Sequence, residues 1–281
     1  MHALVCKTFV GCALLLPWAA ALTPALQAQE DGPPNVLVIH REYLKPGKAG
    51  MIHQRSESAF VHAFADAKTS YPYFALDSLS GPTRSLFVFG YSSFADWEKE
   101  LSAVRGNKAL AAKVDQASLS DGDLLSSYDA AALALRPDLS LNKGSINGTR
   151  FFEITTFVVK PGHTHDFTEL AHIYKETYSK VSPETHWDCF ELMYGNPVPG
   201  TNGGAVFLVV NTMKSLAETD DSLKASDKFE AEAGASGMKK IGELSAASIE
   251  ATSTNLFAID PGMSNPPTEW VKREPAFWKV Q

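Results

Sequence analysis

The chain has 281 residues, with 32 acidic and 25 basic side chains, a net charge of −7 and three cysteines. Acidity on this scale excludes a nucleic-acid or anionic-membrane partner recruited by charge. The length suffices for two domains of ordinary size.

Residues 1–28 read as a cleaved secretory signal: Lys7, an apolar run from Thr8 to Leu22 interrupted by Gly11 and Pro17, then a small-residue exit from Pro24 to Ala28. That run is too short and broken to span a bilayer comfortably. The expected address is therefore secreted or periplasmic, with no membrane contact after cleavage. Cys6 and Cys12 would leave with the signal, so Cys189 remains alone and no internal disulfide is available. Flanked by Trp187, Phe190 and Leu192, it reads as a buried, inert thiol.

The rest of the chain repeats itself. Val36 to Gly47 aligns without a gap on Phe151 to Gly162, each a strand closed by Lys-Pro-Gly. A helical segment follows in both, and its aromatic positions keep step after one residue is dropped: Phe60 with Tyr174, Phe64 with Tyr178. Tyr73 to Gly81 then matches Trp187 to Gly195, a second strand ending at glycine. Third strands are expected from Ser85 to Tyr91 and from Ala205 to Asn211, each leading into a helix. Each copy closes with a strand before a turn, within Ala131 to Ser140 and Asn255 to Ser264. The order is β-α-β-β-α-β twice, with room for one more helix before the last strand in residues 107–128 and 225–250. The repeats span 35–141 and 149–264. A tail of 265–281, carrying Trp270, Phe277 and Trp278, is too apolar to hang free.

A four-stranded antiparallel sheet with both helices on one side leaves its other face bare, and two tandem copies can cover each other. The expected fold class is therefore α+β: two ferredoxin-like units packed sheet to sheet. This organisation, with the strand-Lys-Pro-Gly-helix opening in both copies and the aromatic helix pattern, resembles the dimeric α+β barrel superfamily. That superfamily includes NIPSNAP-like, antibiotic-biosynthesis-monooxygenase-like and chlorite dismutase proteins. The resemblance implies a small molecule held between the sheets, and it brings no catalytic motif with it.

Strand alternation sorts the side chains into two sets. Leu37, Ile39, Arg41 and Tyr43, with Phe152, Ile154 and Val158, form one set, expected under the helices. His40 and Glu42, with Tyr73, Asp77, Glu153, Phe157, Trp187, Cys189 and Glu191, form the other, expected to line the space between the sheets. His40 is the candidate proton-moving residue. His40, Glu42, Tyr73, Asp77, Glu153, Phe157, Trp187 and Glu191 are the candidate ligand contacts. His165, Glu169, His172 and Glu176 recur at helical spacing and form a weak candidate metal set, read as an outer helix face opposite Phe167 and Leu170. His53 aligns with Phe167 and reads as a buried neutral histidine.

No nucleophile elbow, phosphate loop or paired cysteines appear, so no cofactor is expected from motifs. The likeness to chlorite dismutase raises haem as an alternative, with His40, His53 or His172 as ligand. The leading functional expectation is an exported protein that binds a small, partly apolar molecule. The alternatives are a metal-free monooxygenase-like or isomerase-like enzyme using His40 or a raised carboxylate, and an interaction or structural protein with a filled core. A monomer suffices for this architecture, and exposed edge strands leave a homodimer open.

Overall fold

The computed structural model describes residues 32–67, 71–142, 144–195 and 204–279, so the expected signal segment lies outside the described residues. The first unit runs β1 (Val36–Leu44), α1 (Met51–Asp66), β2 (Tyr73–Ser78), β3 (Arg84–Tyr91), α2 (Phe94–Gly106), α3 (Lys108–Gly122) and β4 (Leu125–Leu135). The second runs β5 (Phe151–Val159), α4 (Thr164–Val181), β6 (Asp188–Tyr194), β7 (Val206–Met213), α5 (Ala217–Ser248) and β8 (Ile249–Asn265). Two short helices follow, α6 (Thr268–Arg273) and α7 (Pro275–Trp278). Among the described residues no helix is long and apolar enough to cross a membrane.

The extra helix arises where the sequence left room for it. Asn107 accepts the Leu110 amide on its side chain at 3.1 Å and so opens α3 directly after α2. In the second copy the same stretch is also broken in two: α5 leaves helical geometry at Gly234, whose φ of 64° only glycine adopts freely. The last strands begin earlier than expected, because the polar runs from Leu125 and Ile249 pair along one neighbour while facing solvent.

Within each unit the strand order is the ferredoxin-like one, β4-β1-β3-β2 and β8-β5-β7-β6, all antiparallel. The units do more than stack. β2 pairs with β8 and β4 with β6, which closes the eight strands into one barrel. Every described sheet edge is thereby used, and the ground for a homodimer through edge strands is gone.

Closure decides which face is which, and it reverses the expected assignment. Leu37 and Ile39, with Leu76, Val88, Leu133, Phe152, Ile154, Phe190 and Phe257, form one cluster drawn from both units, the barrel interior. Trp278 belongs to this cluster, and Trp270 and Phe277 pack against it, so the tail docks at the barrel. Arg150 fastens it, with its guanidinium 3.8 Å over the Phe277 ring and a 2.5 Å ion pair to Glu274. The interior is filled by the chain's own side chains. Val36, Val38, Tyr73, Ala75, Phe87 and Phe89 pack instead beneath α1 and α3, with Phe64 and Leu110. Both faces of β1 are buried, so alternation of apolar residues cannot tell inside from outside.

The glycine that ends the second strand of each copy sits at the two closing seams. A Cβ on Gly195 (φ 90°) would lie 2.3 Å from the Ala130 carbonyl oxygen of β4. One on Gly81 (φ 76°) would meet the end of the Asn255 side chain of β8. Backbone cannot yield as a side chain can. Gly195→Ala should therefore cost on the order of 2 kcal/mol and Gly81→Ala less; chemical denaturation of the two variants checks the order.

Asp188, on the interior-facing side of β6, is pushed up to about 6 by burial, slightly offset by the charge of His186, and its Oδ1 has no hydrogen-bond partner. Its folded pKa lies above the unfolded value near 3.9, so its contribution to stability is full below that value and is lost as pH rises through about 6. Asp188→Asn should raise stability at pH 7.5 by on the order of 1–3 kcal/mol and give no gain at pH 3.5. Thermal unfolding at the two pH values measures the difference.

Candidate metal centre

One register row crosses the helix-covered face of the first sheet: Glu42 on β1 lies opposite Ser85 on β3, which lies opposite Asp77 on β2. Above this row α1 presents His53 and Glu57, four residues apart and so on one side of the helix. The last turn of α3 adds Asp121. Glu42, His53, Glu57 and Asp121 each offer a ligand atom within 4.8 Å of the others, and all four residues are buried.

With Glu42 and Asp77 ionised, the hydrogen bonds make the histidine a double donor. His53 Nε2 donates to Glu42 Oε2 at 3.0 Å. Its Nδ1 lies 3.3 Å from Ser85 Oγ, whose own proton goes to Asp77 Oδ1 at 2.5 Å. Ser85 then accepts from Nδ1, and both ring nitrogens carry protons. The electrostatics agree. Burial pulls His53 down, yet the hydrogen bond and charge of Glu42, with the charges of Asp121 and Asp77, outweigh it and hold the pKa above the usual histidine value.

The carboxylates are crowded. Burial, reinforced by the charges of Glu42 and Asp121, pushes Glu57 up to about 10. Glu42 is raised mainly by burial, against the pull of its bond to His53. The Glu57 and Asp121 carboxyl groups, with side chains about 4% and 3% exposed, also share a side-chain hydrogen bond that raises Glu57 further, so a proton is held between them. His53 Nε2 stands 3.8 and 3.7 Å from Glu57 Oε1 and Asp121 Oδ1, beyond bonding reach. Three buried acid groups crowded in this way are costly unless a proton or a cation sits among them.

The second copy shows what the scaffold holds there otherwise. By the repeat alignment, Phe157 occupies the place of Glu42, Phe167 that of His53 and Ala171 that of Glu57; the strand register puts Phe207 opposite Phe157, as Ser85 is opposite Glu42. Phe157, Phe167, Phe207 and Cys189 pack as one apolar cluster, with Phe167 stacked on Phe207 at 4.6 Å. Burial pushes the Cys189 thiol up to about 12, fitting an inert core group. The fold is therefore content with a hydrocarbon layer at this position, and the polar quartet is peculiar to the first copy.

The residues expected between the sheets are dispersed over the helix-covered face. Glu42 joins the centre, and Asp77 supports it through Ser85. His40 lies one register row away, its Nδ1 2.9 Å from the Tyr128 hydroxyl and its ring 5.1 Å from Phe89, with burial holding its pKa below the usual value. Tyr73 is packed among Phe64, Phe87 and Phe89. Trp187 donates its indole N–H to the Leu139 carbonyl at 2.9 Å, Glu191 binds Arg136 at 2.7 Å, and Phe157 lies against Phe167. Glu153 is half-buried on β5, between β7 and β8. These eight do not form one chamber. His165 and His172 are exposed on α4 and Glu169 pairs with Lys240 at 3.2 Å, so the three stand outside the one cluster of metal-ligating geometry among the described residues.

Haem does not suit the histidines present. The space beside His53 is enclosed by carboxylates within 4.8 Å and is too small for a macrocycle; His172 is exposed on a helix surface, and His40 is bonded to Tyr128.

No protein-family model matches the sequence, and no curated protein does. Among solved structures the chain is similar to an anthrone oxidase-like protein, with a TM-score of 0.51 and 12% identity over 80% of this chain and 91% of that one. It is also similar to a monooxygenase-like protein from Fusobacterium nucleatum (TM-score 0.47, 15% identity, 80% and 91% covered). A mutant chlorite dismutase from Candidatus Nitrospira defluvii is a third (0.46, 11%, 82% and 92%). The first of these likenesses speaks to the fold: the chain has the dimeric α+β barrel architecture, with both halves supplied by one polypeptide.

If the quartet were a hydrogen-bond network kept for folding, removing Glu57 would weaken the protein. A cation site without its ion has the opposite sign, because one of three crowded acid groups is removed from beside Glu42 and Asp121 and hydrocarbon takes its place. Glu57→Met should raise the unfolding free energy of chelator-treated protein by about 1–3 kcal/mol, measured by urea denaturation in EDTA.

Proposed function

We propose that the chain is an exported metalloprotein in which Glu42, His53, Glu57 and Asp121 hold one divalent cation that acts on a small molecule. The observation that carries this reading is the quartet itself, a histidine and three carboxylates, all buried, each offering a ligand atom within 4.8 Å of the others. A cation entering the cluster takes the place of the proton on His53 Nε2 and meets the carboxylate oxygens. His53 Nδ1 keeps its proton, and Ser85 and Asp77 hold the ring through it, the outer support that metal-bound histidines ordinarily have.

One imidazole with three carboxylates suits Mn2+, Fe2+ or Zn2+ better than Ca2+, which prefers oxygen alone. Such an ion supplies a Lewis acid to an oxygen of the bound molecule. The residues of the chain hold the ion, orient His53 and surround the site with Phe87 and the sheet. An enzymatic role on the fold shared with the anthrone oxidase-like protein is the reading we adopt, and the leader-like composition of residues 1–28 supports export.

The test is metal analysis of mature protein recovered from a periplasmic or secreted fraction, followed by calorimetric titration of Mn2+ and Zn2+ into chelator-treated protein. One equivalent should bind, and ion at 100 times its Kd should add about 2.7 kcal/mol of stability. Glu57→Gln and Asp121→Asn should each weaken binding at least about tenfold, the scale of losing a charged ligand, while His40→Ala stays within about threefold. A wild-type chain that takes up neither ion, or variants that bind as well as it does, would overturn the assignment.

A further inference from the structure

The antiparallel helices α1 and α3 leave between them a groove of about 520 Å3, within the range of small-molecule sites. One end lies level with the proposed metal centre. Ser56 and Ser120 line it there, each the direct neighbour of a ligand, Glu57 and Asp121. The other end is closed by Asp66 and Lys113, paired at 2.7 Å and so neutral together. Arg55 and Asp66 are separated by about 16 Å along the helix at 1.5 Å per residue.

We propose that this groove binds an elongated, amphiphilic carboxylate, with its acid group at Arg55 and Ser56 and its apolar body along Ala59, Ala63 and Ala117. The proposal deepens the metalloenzyme reading and rests on it for the ion's role, though not for the binding itself. Three features support it. The Ser56 hydroxyl is buried and has no hydrogen-bond partner, although it lines the groove; a buried donor in that state is satisfied by something entering. The Arg55 guanidinium lines the same end and, among the described residues, makes no ion pair, whereas the cation at the far end is already neutralised. Its planar fork fits a carboxylate with two parallel bonds. Between the two ends the walls carry alanine at Ala59, Ala63 and Ala117, which leaves width for a chain or ring and offers it hydrocarbon.

The experiment uses the mature protein, octanoate and 2-naphthoate as probes, and octanol and acetate as controls. Saturation-transfer NMR on metal-free protein reads binding; relaxation of the probe by Mn2+-loaded protein reads distance from the ion. Both carboxylates should bind about tenfold more tightly than octanol or acetate, and Mn2+ should broaden the carboxylate end more than the far end. Arg55→Glu and Ala59→Phe, both at exposed positions, should weaken the probes at least about tenfold while leaving Mn2+ affinity unchanged. Failure of Mn2+ to bind, with the probes still held and still sensitive to both variants, removes the metal reading and keeps the groove. Probes that do not bind, that bind no better than octanol, or that ignore both substitutions overturn the proposal.

Discussion

Pairing of β2 with β8 and of β4 with β6 is the constraint on which the rest of the molecule depends. Two half-sheets joined along both seams enclose a volume with no edge, and the backbone groups of eight strands are satisfied within it. Only side chains are left to fill the inside, and the cluster running from Leu37 to Trp278 does so. Polar chemistry is thereby pushed outward, into the layer between sheet and helices. This is why the crowded cluster of Glu42, His53, Glu57 and Asp121 lies under α1 and α3, and why the tail docks at the barrel.

Duplication turns the protein into its own control. Two layers with the same backbone plan stand in one chain, one built from Phe157, Phe167, Phe207 and Cys189 and the other from Glu42, His53, Ser85 and their neighbours. The aromatic layer shows that folding asks nothing polar of this position. Burying three carboxylates there works against stability. Their presence in one copy alone is an argument for a role outside folding that no inspection of the first copy in isolation would supply.

Much of the plan was legible in the residues. The Lys-Pro-Gly stops, the stepped aromatics and the glycines ending the second strands laid out both units, because turn chemistry and helical period are local properties. Which face of β1 looks inward was not legible: Val36 and Val38 are as apolar as Leu37 and Ile39, and barrel and helices bury both. Sequence alternation consequently places His40 and Glu42 in a shared chamber between the sheets, on the wrong side of β1. The signal that was there to be used is His53 with Glu57, four apart on the core-facing stripe of α1, where a charged pair is out of place. The exposed series at His165, Glu169 and His172 has more regular spacing and less meaning, since solvent meets its needs. Asp121 was beyond reach, for it depends on a helix whose start is fixed by the Asn107 cap.

The local energetics bear on how the centre and the fold are coupled. Without an ion, the cluster reaches a tolerable charge by keeping protons on His53 and Glu57. With one, the same four groups become the ends of β1, α1 and α3 tied to a single point. α3 corresponds to the part of α5 beyond the break at Gly234, and in the first copy its last turn is what brings Asp121 to the sheet. A cation held there fastens α1 to α3 at one end of the groove between them, while Asp66 and Lys113 fasten the other. The width of that groove, and hence access of any small molecule to Ser56 and Arg55, is then governed by an ion at one end and by an exposed ion pair at the other. Of the two, only the buried one holds with much force, since an exposed pair contributes at most about 1 kcal/mol.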